Sequence, residues 1–255
     1  MDLTFLYDVP VAGLFFQLVG WLIDVFVLFA PSIIRSATTI GFAALVGVMC
    51  ERSGVVNIGI EGTMLVAAFA GWYAGVLLSP ILGTEGTAIF NISATLLVAV
   101  MVALVAGMLV SALFAWLSIT VKSDQIINGT IINIAAFGIT GYLVTLISRS
   151  SPVSAGSFRP FRPPSELAEI PLVGWLINGV VNQGPITISL LVIVIVFQVM
   201  LFRSRWGLRT RAVGEHPRAA ETLGVHVIRT RYRNVILAGA LAGLGSPSHR
   251  SAPLP

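Results

Sequence analysis

The sequence predicts an all-α fold, a polytopic bundle of about six to seven transmembrane helices. Three observations carry that prediction. The 255 residues are 56% hydrophobic and only 10% charged, with a mean hydropathy of +0.93. Soluble domains are about a quarter charged, so too few charges are present to cover a water-soluble fold of this size. Apolar runs long enough to cross a bilayer, which takes roughly 20 residues as a helix, recur along the chain. Short polar or proline-bearing breakers separate them.

The runs fall at about 11–30, 33–50, 60–80, 91–118, 125–148 and 186–202, and a seventh starts near 234. "ERSG" (51–54) divides the second from the third, "SPILGTEGT" (79–87) the third from the fourth, and "TVKSD" (120–124) the fourth from the fifth. Residues 149–185 form a longer polar stretch carrying Pro152, Pro160, Pro163, Pro164, Pro171 and Pro185. The N-terminus, "MDLTFLYDVP", has Asp2 and Asp8 and no basic residue. That is a poor leader region for a cleaved signal peptide, so the first run is expected to stay in the mature protein. The single cysteine, Cys50, lies in an apolar run and reads as a buried inert thiol.

Helices associate in lipid through small residues, because apolar burial no longer drives them together. Gly71 and Gly75 in "GWYAG" and Gly239 and Gly243 in "GALAG" have the spacing for such contacts. Polar residues inside spans face a cavity or another helix. Gln125 and Asn128 share one helix face by i, i+3 spacing, while Asn133 points elsewhere. Two readings stand for the pair: the lining of a path for a hydroxyl-rich solute, or hydrogen bonding between helices near one end. Asn57 is placed to cap the third span, and Glu61 to meet its positive N-terminal end. Asp24 is the one carboxylate clearly inside a run.

The strongest signal lies late in the chain. Residues 203–233 hold Arg203, Arg205, Arg209, Arg211, Arg218, Arg229, Arg231 and Arg233, eight of the fifteen Lys+Arg residues. Basic residues beside spans stay cytoplasmic, so this loop is expected inside. Alternation then puts 149–185 outside, Lys122 inside, 79–90 outside, and Glu51, Arg52 and the N-terminus inside. Arg149, Arg159 and Arg162 fall on the outer side against that rule. The basic pI, about 9.8, arises from a net charge of only +4 beside membrane spans and does not point to nucleic acid.

Inside the loop, "GEHPRAAETLGVH" predicts a short helix. Pro217 suits its first position, "RAAETL" is rich in helix formers, and Glu215 and Gly224 suit its two ends. A basic loop alone reads as contact with anionic head groups. The paired Ala219 and Ala220 add a second reading, a protein-docking helix whose small side chains let a partner approach closely.

"GLRTRAVGEHPRAAETLGV" (207–225), "ERSGVVNIGIEGTMLVAAFAG" (51–71) and "GTIINIAAFGITGYL" (129–143) together resemble ABC importer permeases of the branched-chain amino acid/ribose class. Within that class they are most similar to nucleoside and simple-sugar permeases. The resemblance runs in order over about residues 33–245. It implies a transmembrane permease domain over 1–245 with a cytoplasmic coupling loop at 203–233, in the plasma membrane of a prokaryote. It implies that Gly214, Glu215, Pro217, Ala219, Ala220, Glu221 and Gly224 form the element that couples to a separate ATP-binding subunit. A second permease subunit and an extracytoplasmic substrate-binding protein are the further partners it implies, with a nucleoside or simple sugar as cargo.

The chemistry excluded is consistent with this. A phosphate-cradling G-x-x-x-x-G-K-[ST] loop is absent; the one lysine, Lys122, sits in "SITVKSDQ". His216, His226 and His249 have no metal-ligand spacing with Cys50 or the acids. No cofactor is expected, and no catalytic residue. Two alternatives remain at this level: an ion-coupled transporter, for which Asp24 is thin support, and an inactive fragment of a permease. The last apolar run, "NVILAGALAGLG", is too short to cross: 12 residues rise only about 18 Å against a core of about 30 Å. Either protein shields its end or the span is cut short. The polar tail at 246–255, "SPSHRSAPLP", departs from the family pattern and favours the second expectation.

Overall fold

A computed structural model describes residues 10–83, 93–148 and 185–246. The expectations for Asp2, Asp8, the 149–184 stretch and the tail beyond Ser246 lie outside these residues. All regular structure described is helical: α1 (Pro10–Glu51), α2 (Ile60–Leu82), α3 (Ala94–Ala115), α4 (Gln125–Ser148), α5 (Pro185–Arg203), α6 (Arg205–Glu215), α7 (Pro217–Thr222) and α8 (Val227–Gly245). Among the described residues five segments are long and apolar enough to cross a membrane: Ser32–Glu51, Ile60–Leu82, Ala94–Thr120, Gln125–Ile147 and Pro185–Arg203.

Two expectations change. The first two apolar runs are one helix, α1, which continues through Pro31. Proline's fixed φ is compatible with helix, and no glycine or polar turn accompanies it to reverse the chain. The reversal near residue 31, on which the placing of the N-terminus inside depended, is therefore missing. The side chain of Asp24 lies outside the described residues. At the other end, the seventh run is the second half of α8. That helix starts at Val227 and carries Arg229, Arg231 and Arg233 in its first turns. It is not among the membrane-length apolar segments.

The core gathers around α8, which packs mainly against α3 and α1, while α2 packs on α3. Val235, Ala238 and Ala242 of α8 are fully buried with Phe42 and Val46 of α1 and Phe114 of α3. Small residues allow the close approach. A Cβ on Gly107 would come within 2.2 Å of the Gly239 carbonyl oxygen, and one on Gly239 within 2.4 Å of the Gly107 oxygen. The Gly239/Gly243 pair thus sits at a helix contact, with Ala103 opposite Gly243. Gly71 meets Ala99 and Ala103 of α3, and Gly75 is buried beside it. The end of α8 is enclosed by protein: Gly245 lies against Phe42, and the buried Ser246 donates to the Gly243 carbonyl at 2.8 Å. The short last apolar run is thus the second half of a 19-residue helix whose end packs against protein. Cys50 is free and fully buried.

Short connections hold the spans in register. Ser93 caps α3 by accepting from Leu96 N at 3.2 Å, and Thr95 Oγ1 donates to the Gly83 carbonyl at 2.6 Å. α3 ends in a π-helical turn, Trp116–Thr120. Lys122 then takes the left-handed conformation (φ 59°). Asp124 starts α4, its Oδ1 accepting from Ile126 N at 2.8 Å and Ile127 N at 3.2 Å. α5 is held to α1 by a Thr38–Thr187 hydroxyl contact at 3.3 Å.

Candidate functional site

The basic loop is built from two short helices and the first turns of α8. Ser204 interrupts the chain after α5 and caps α6, accepting from Gly207 N at 3.1 Å. α6 turns its Gly207, Thr210 and Val213 inward. Asn234 of α8, itself fully buried, donates to Thr210 Oγ1 at 3.1 Å. α6 ends at Glu215, His216 turns the chain, and Pro217 opens α7 at its first position. α7 closes through Gly224, whose φ of 78° suits glycine alone without strain. Gly224 N donates to the Glu221 carbonyl and Val225 N to the Ala220 carbonyl, both at 3.0 Å.

Three of the eight arginines work as structural ties. Arg231 Nε donates to the Ser53 carbonyl at 3.2 Å, linking α8 to the turn after α1. Arg211 lies over the Phe202 ring at 5.1 Å, and Arg233 over Trp206 at 5.9 Å, distances at which a cation is attracted to a ring face. Arg203, Arg205, Arg209, Arg218 and Arg229 are exposed.

The expected coupling residues divide. Glu215, Ala219, Glu221 and Gly224 are exposed and Pro217 is half-buried. Ala220 is not part of an outer alanine face, as the pairing with Ala219 suggested. It is 3% exposed, because adjacent helical positions point about 100° apart and α7 lays this one against its own chain. Gly214 likewise faces inward. A Cβ there would lie 2.4 Å from the Arg52 carbonyl oxygen, so its smallness serves the seam between α6 and the turn after α1. Sequence reasoning missed Leu223, which is 84% exposed at the end of α7. A leucine between Thr222 and a left-handed glycine was the available signal. Leu208 and Ile228 also stand exposed on the same loop.

The polar residues of α4 serve mainly as ties. Gln125 Oε1 accepts from Val56 N at 2.7 Å. Asn133 Oδ1 accepts from Gly62 N at 2.7 Å, and its Nδ2 donates to the Ile58 carbonyl at 3.1 Å. Between them Gly129 lies backbone to backbone with Gly59. Residues 125, 129 and 133 thus form one docking stripe at i, i+4, i+8, a pattern legible in the sequence but not used there. Asn128 departs from it: buried, it donates to Ser123 Oγ at 2.6 Å and Ser118 Oγ at 3.4 Å. Gln125 and Asn128 therefore do not act on one common surface. Gln125 does border an open cleft of about 370 Å³ with Val56, Ser123, Asp124 and Ile126.

Asn57 does not cap α2 directly, since Gly59 holds that position. Its Oδ1 instead accepts from Gly59 N at 2.9 Å, bending the chain just before the helix. Glu61 lies exposed in the first turn of α2, where the helix dipole favours it. Among the described residues no cluster of His, Cys, Asp or Glu could hold a metal.

Comparison with known proteins completes the picture. The family described as branched-chain amino acid transport system permease component matches residues 29–246. The guanosine ABC transporter permease protein NupQ of Bacillus subtilis is 33% identical over 234 residues, covering 90% of this chain and 69% of that protein. The nucleoside ABC transporter permease protein NupC of Lactococcus lactis is 28% identical, covering 85% of this chain and 65% of its own length. A permease protein of Haloferax volcanii provisionally named for glucose transport, TsgC13, is 30% identical over 82% of this chain and 58% of its own length. No solved structure matches. The match over most of the chain, on a bundle of apolar helices, decides the matter: the chain belongs to the branched-chain amino acid transport system permease family and is a multi-pass membrane permease subunit of the ABC-importer kind.

Proposed function

We propose that the chain carries a nucleoside inward, driven by a separate ATP-binding subunit that docks on α7. The observation that carries this reading is the outer side of α7: Ala219, Glu221, Leu223 and Gly224 are exposed on a short, proline-started helix braced from behind by Ala220. Such a braced helix transmits force to α8, which it precedes by a turn of four residues and which lies at the centre of the bundle. In this reading 203–233 is cytoplasmic, ATP hydrolysis takes place on the partner, and a second permease subunit and an extracytoplasmic binding protein complete the importer. Nucleoside is preferred to sugar as cargo because the relatives NupQ and NupC are named for guanosine and nucleosides. The reading of Gln125 as part of the solute path rests on the cleft beside it. Asn128, whose amide is engaged by two serines, is left out of that path.

Two measurements test the proposal. Tagged chain is co-expressed with its ATP-binding subunit and recovered in detergent. Ala219→Arg is expected to abolish recovery of the partner, while Ala219→Ser leaves it intact. Ala220→Arg is unsuitable, because it would break the chain's own packing. Partner recovery that Ala219→Arg does not reduce would place the contact elsewhere. Uptake of labelled guanosine and of labelled glucose by the assembled importer then assigns the cargo: guanosine uptake supports the reading, and glucose uptake alone overturns it.

A further inference from the structure

α6 has an outer face that neither the core nor α7 uses. Gly207, Thr210 and Val213 point inward, which leaves Arg205, Leu208 and Arg209 together on the opposite side at i, i+3, i+4 spacing. Both arginines are exposed, and Leu208 is 63% exposed between them. Arg203, one turn back at the end of α5, is exposed as well. Among the described residues none of the three arginines is paired with a carboxylate.

The position of this face relative to the bilayer follows from α5. That span ends at Arg203, and a single residue, Ser204, separates it from α6. The bend is sharp: a Cβ on Gly207 would lie 2.1 Å from the Leu201 carbonyl oxygen and 2.5 Å from that of Met200. The first turn of α6 therefore lies against the last turn of α5, whose end a membrane-crossing helix sets near head-group height. Phe202 at the end of α5 is exposed as well.

We propose that this face of α6 binds anionic phospholipid. Arg203, Arg205 and Arg209 hold head-group phosphates, and Leu208 enters the boundary of the acyl chains. Arginine forks match phosphate oxygens, long basic side chains keep their charge at the interface while their stems lie in apolar surroundings, and helices of this pattern lie in the interface plane. The proposal needs the membrane-spanning character of α5 but neither the cargo nor the ATP-binding partner.

The test uses the full chain in detergent, offered equal amounts of phosphatidylglycerol and phosphatidylcholine with matched acyl chains, with retained lipid counted by native mass spectrometry. Wild-type protein is expected to prefer phosphatidylglycerol. Arg205→Gln with Arg209→Gln is expected to lower that preference at least about fivefold, since one basic residue near an anionic surface contributes about that factor. Arg218→Gln with Arg229→Gln, elsewhere on the loop, is expected to leave it unchanged. An equal fall in both double variants would mean diffuse charge and overturn the proposal, as would the absence of any preference in the wild type. Unchanged lipid preference together with lost recovery of the ATP-binding subunit would make the face a protein contact and overturn it too. If the glutamine pair is not monodisperse, Arg205→Gln and Arg209→Gln are made singly: a fall in preference in each supports the proposal, and unchanged preference in both overturns it. Preference in the wild type must also fall at 1 M salt, where the screening length is only about 3 Å.

Discussion

α5 and α8 are each 19 residues long and could hardly be used more differently. α5, "PITISLLVIVIVFQVMLFR", buries only Phe197 and Leu201, and its Leu191, Ile195 and Val199 are more than half exposed. α8 buries eight of its residues, four of them glycine or alanine within "GALAGLG" and the rest including Asn234. Large branched residues gain nothing from leaving lipid, because the tails are as apolar as they are; small ones let backbones meet, where dispersion holds helices together. Hydropathy thus marks where lipid lies, and small residues mark where protein lies. That is why the least apolar of these helices forms the centre of the bundle.

The comparison can be broken most sharply at its closest point. Gly107→Leu or Gly239→Leu puts side chain where the facing carbonyl oxygen stands, so backbone must move; overpacking even softer sites costs about 1–3 kcal/mol, and the expected result here is loss of monodisperse protein on size-exclusion chromatography. A smaller effect is expected at the stripe that docks α4. Asn133→Ala removes two hydrogen bonds and leaves Gly62 N and the Ile58 carbonyl without them, a loss of about 1–3 kcal/mol read as a lowered midpoint of thermal unfolding in detergent. Arg231→Gln, which releases the Ser53 carbonyl, is expected to cost about 1 kcal/mol by the same measurement. At the other extreme, Val199→Leu on the lipid side of α5 is expected to shift stability by no more than about 0.5 kcal/mol. A large loss there would mean that protein, not lipid, covers α5.

The basic loop shows how far residue patterns reach. Pro217 and Gly224 announced both ends of α7, because each residue has backbone requirements of its own. Nothing in "RAA" told Ala219 from Ala220: they differ only in which side of a six-residue helix meets α6 and α8. The resemblance put Gly214 in the expected coupling element, yet the Arg52 carbonyl that requires a glycine there is more than 150 residues away in the chain. Gln125 and Asn128 share a nominal face, but the turn at Lys122 and Asp124 sets the angle at which α4 enters, and that angle sends Gln125 and Asn133 to the same segment and turns Asn128 aside.

By itself the sequence determined the solvent and the helical class through composition and the length of its apolar runs, the family through its motifs, and the pairs Gly71/Gly75 and Gly239/Gly243 as helix contacts through their spacing. Tertiary structure alone decided that α1 passes through Pro31 without turning, that the short last apolar run is half of a longer helix ending against Phe42, that Ala220 is buried while Ala219 is exposed, and that the first turn of α6 lies against the end of α5. These depend on which distant surface each helix meets, and short-range propensities carry no term for a contact between residues far apart in the chain.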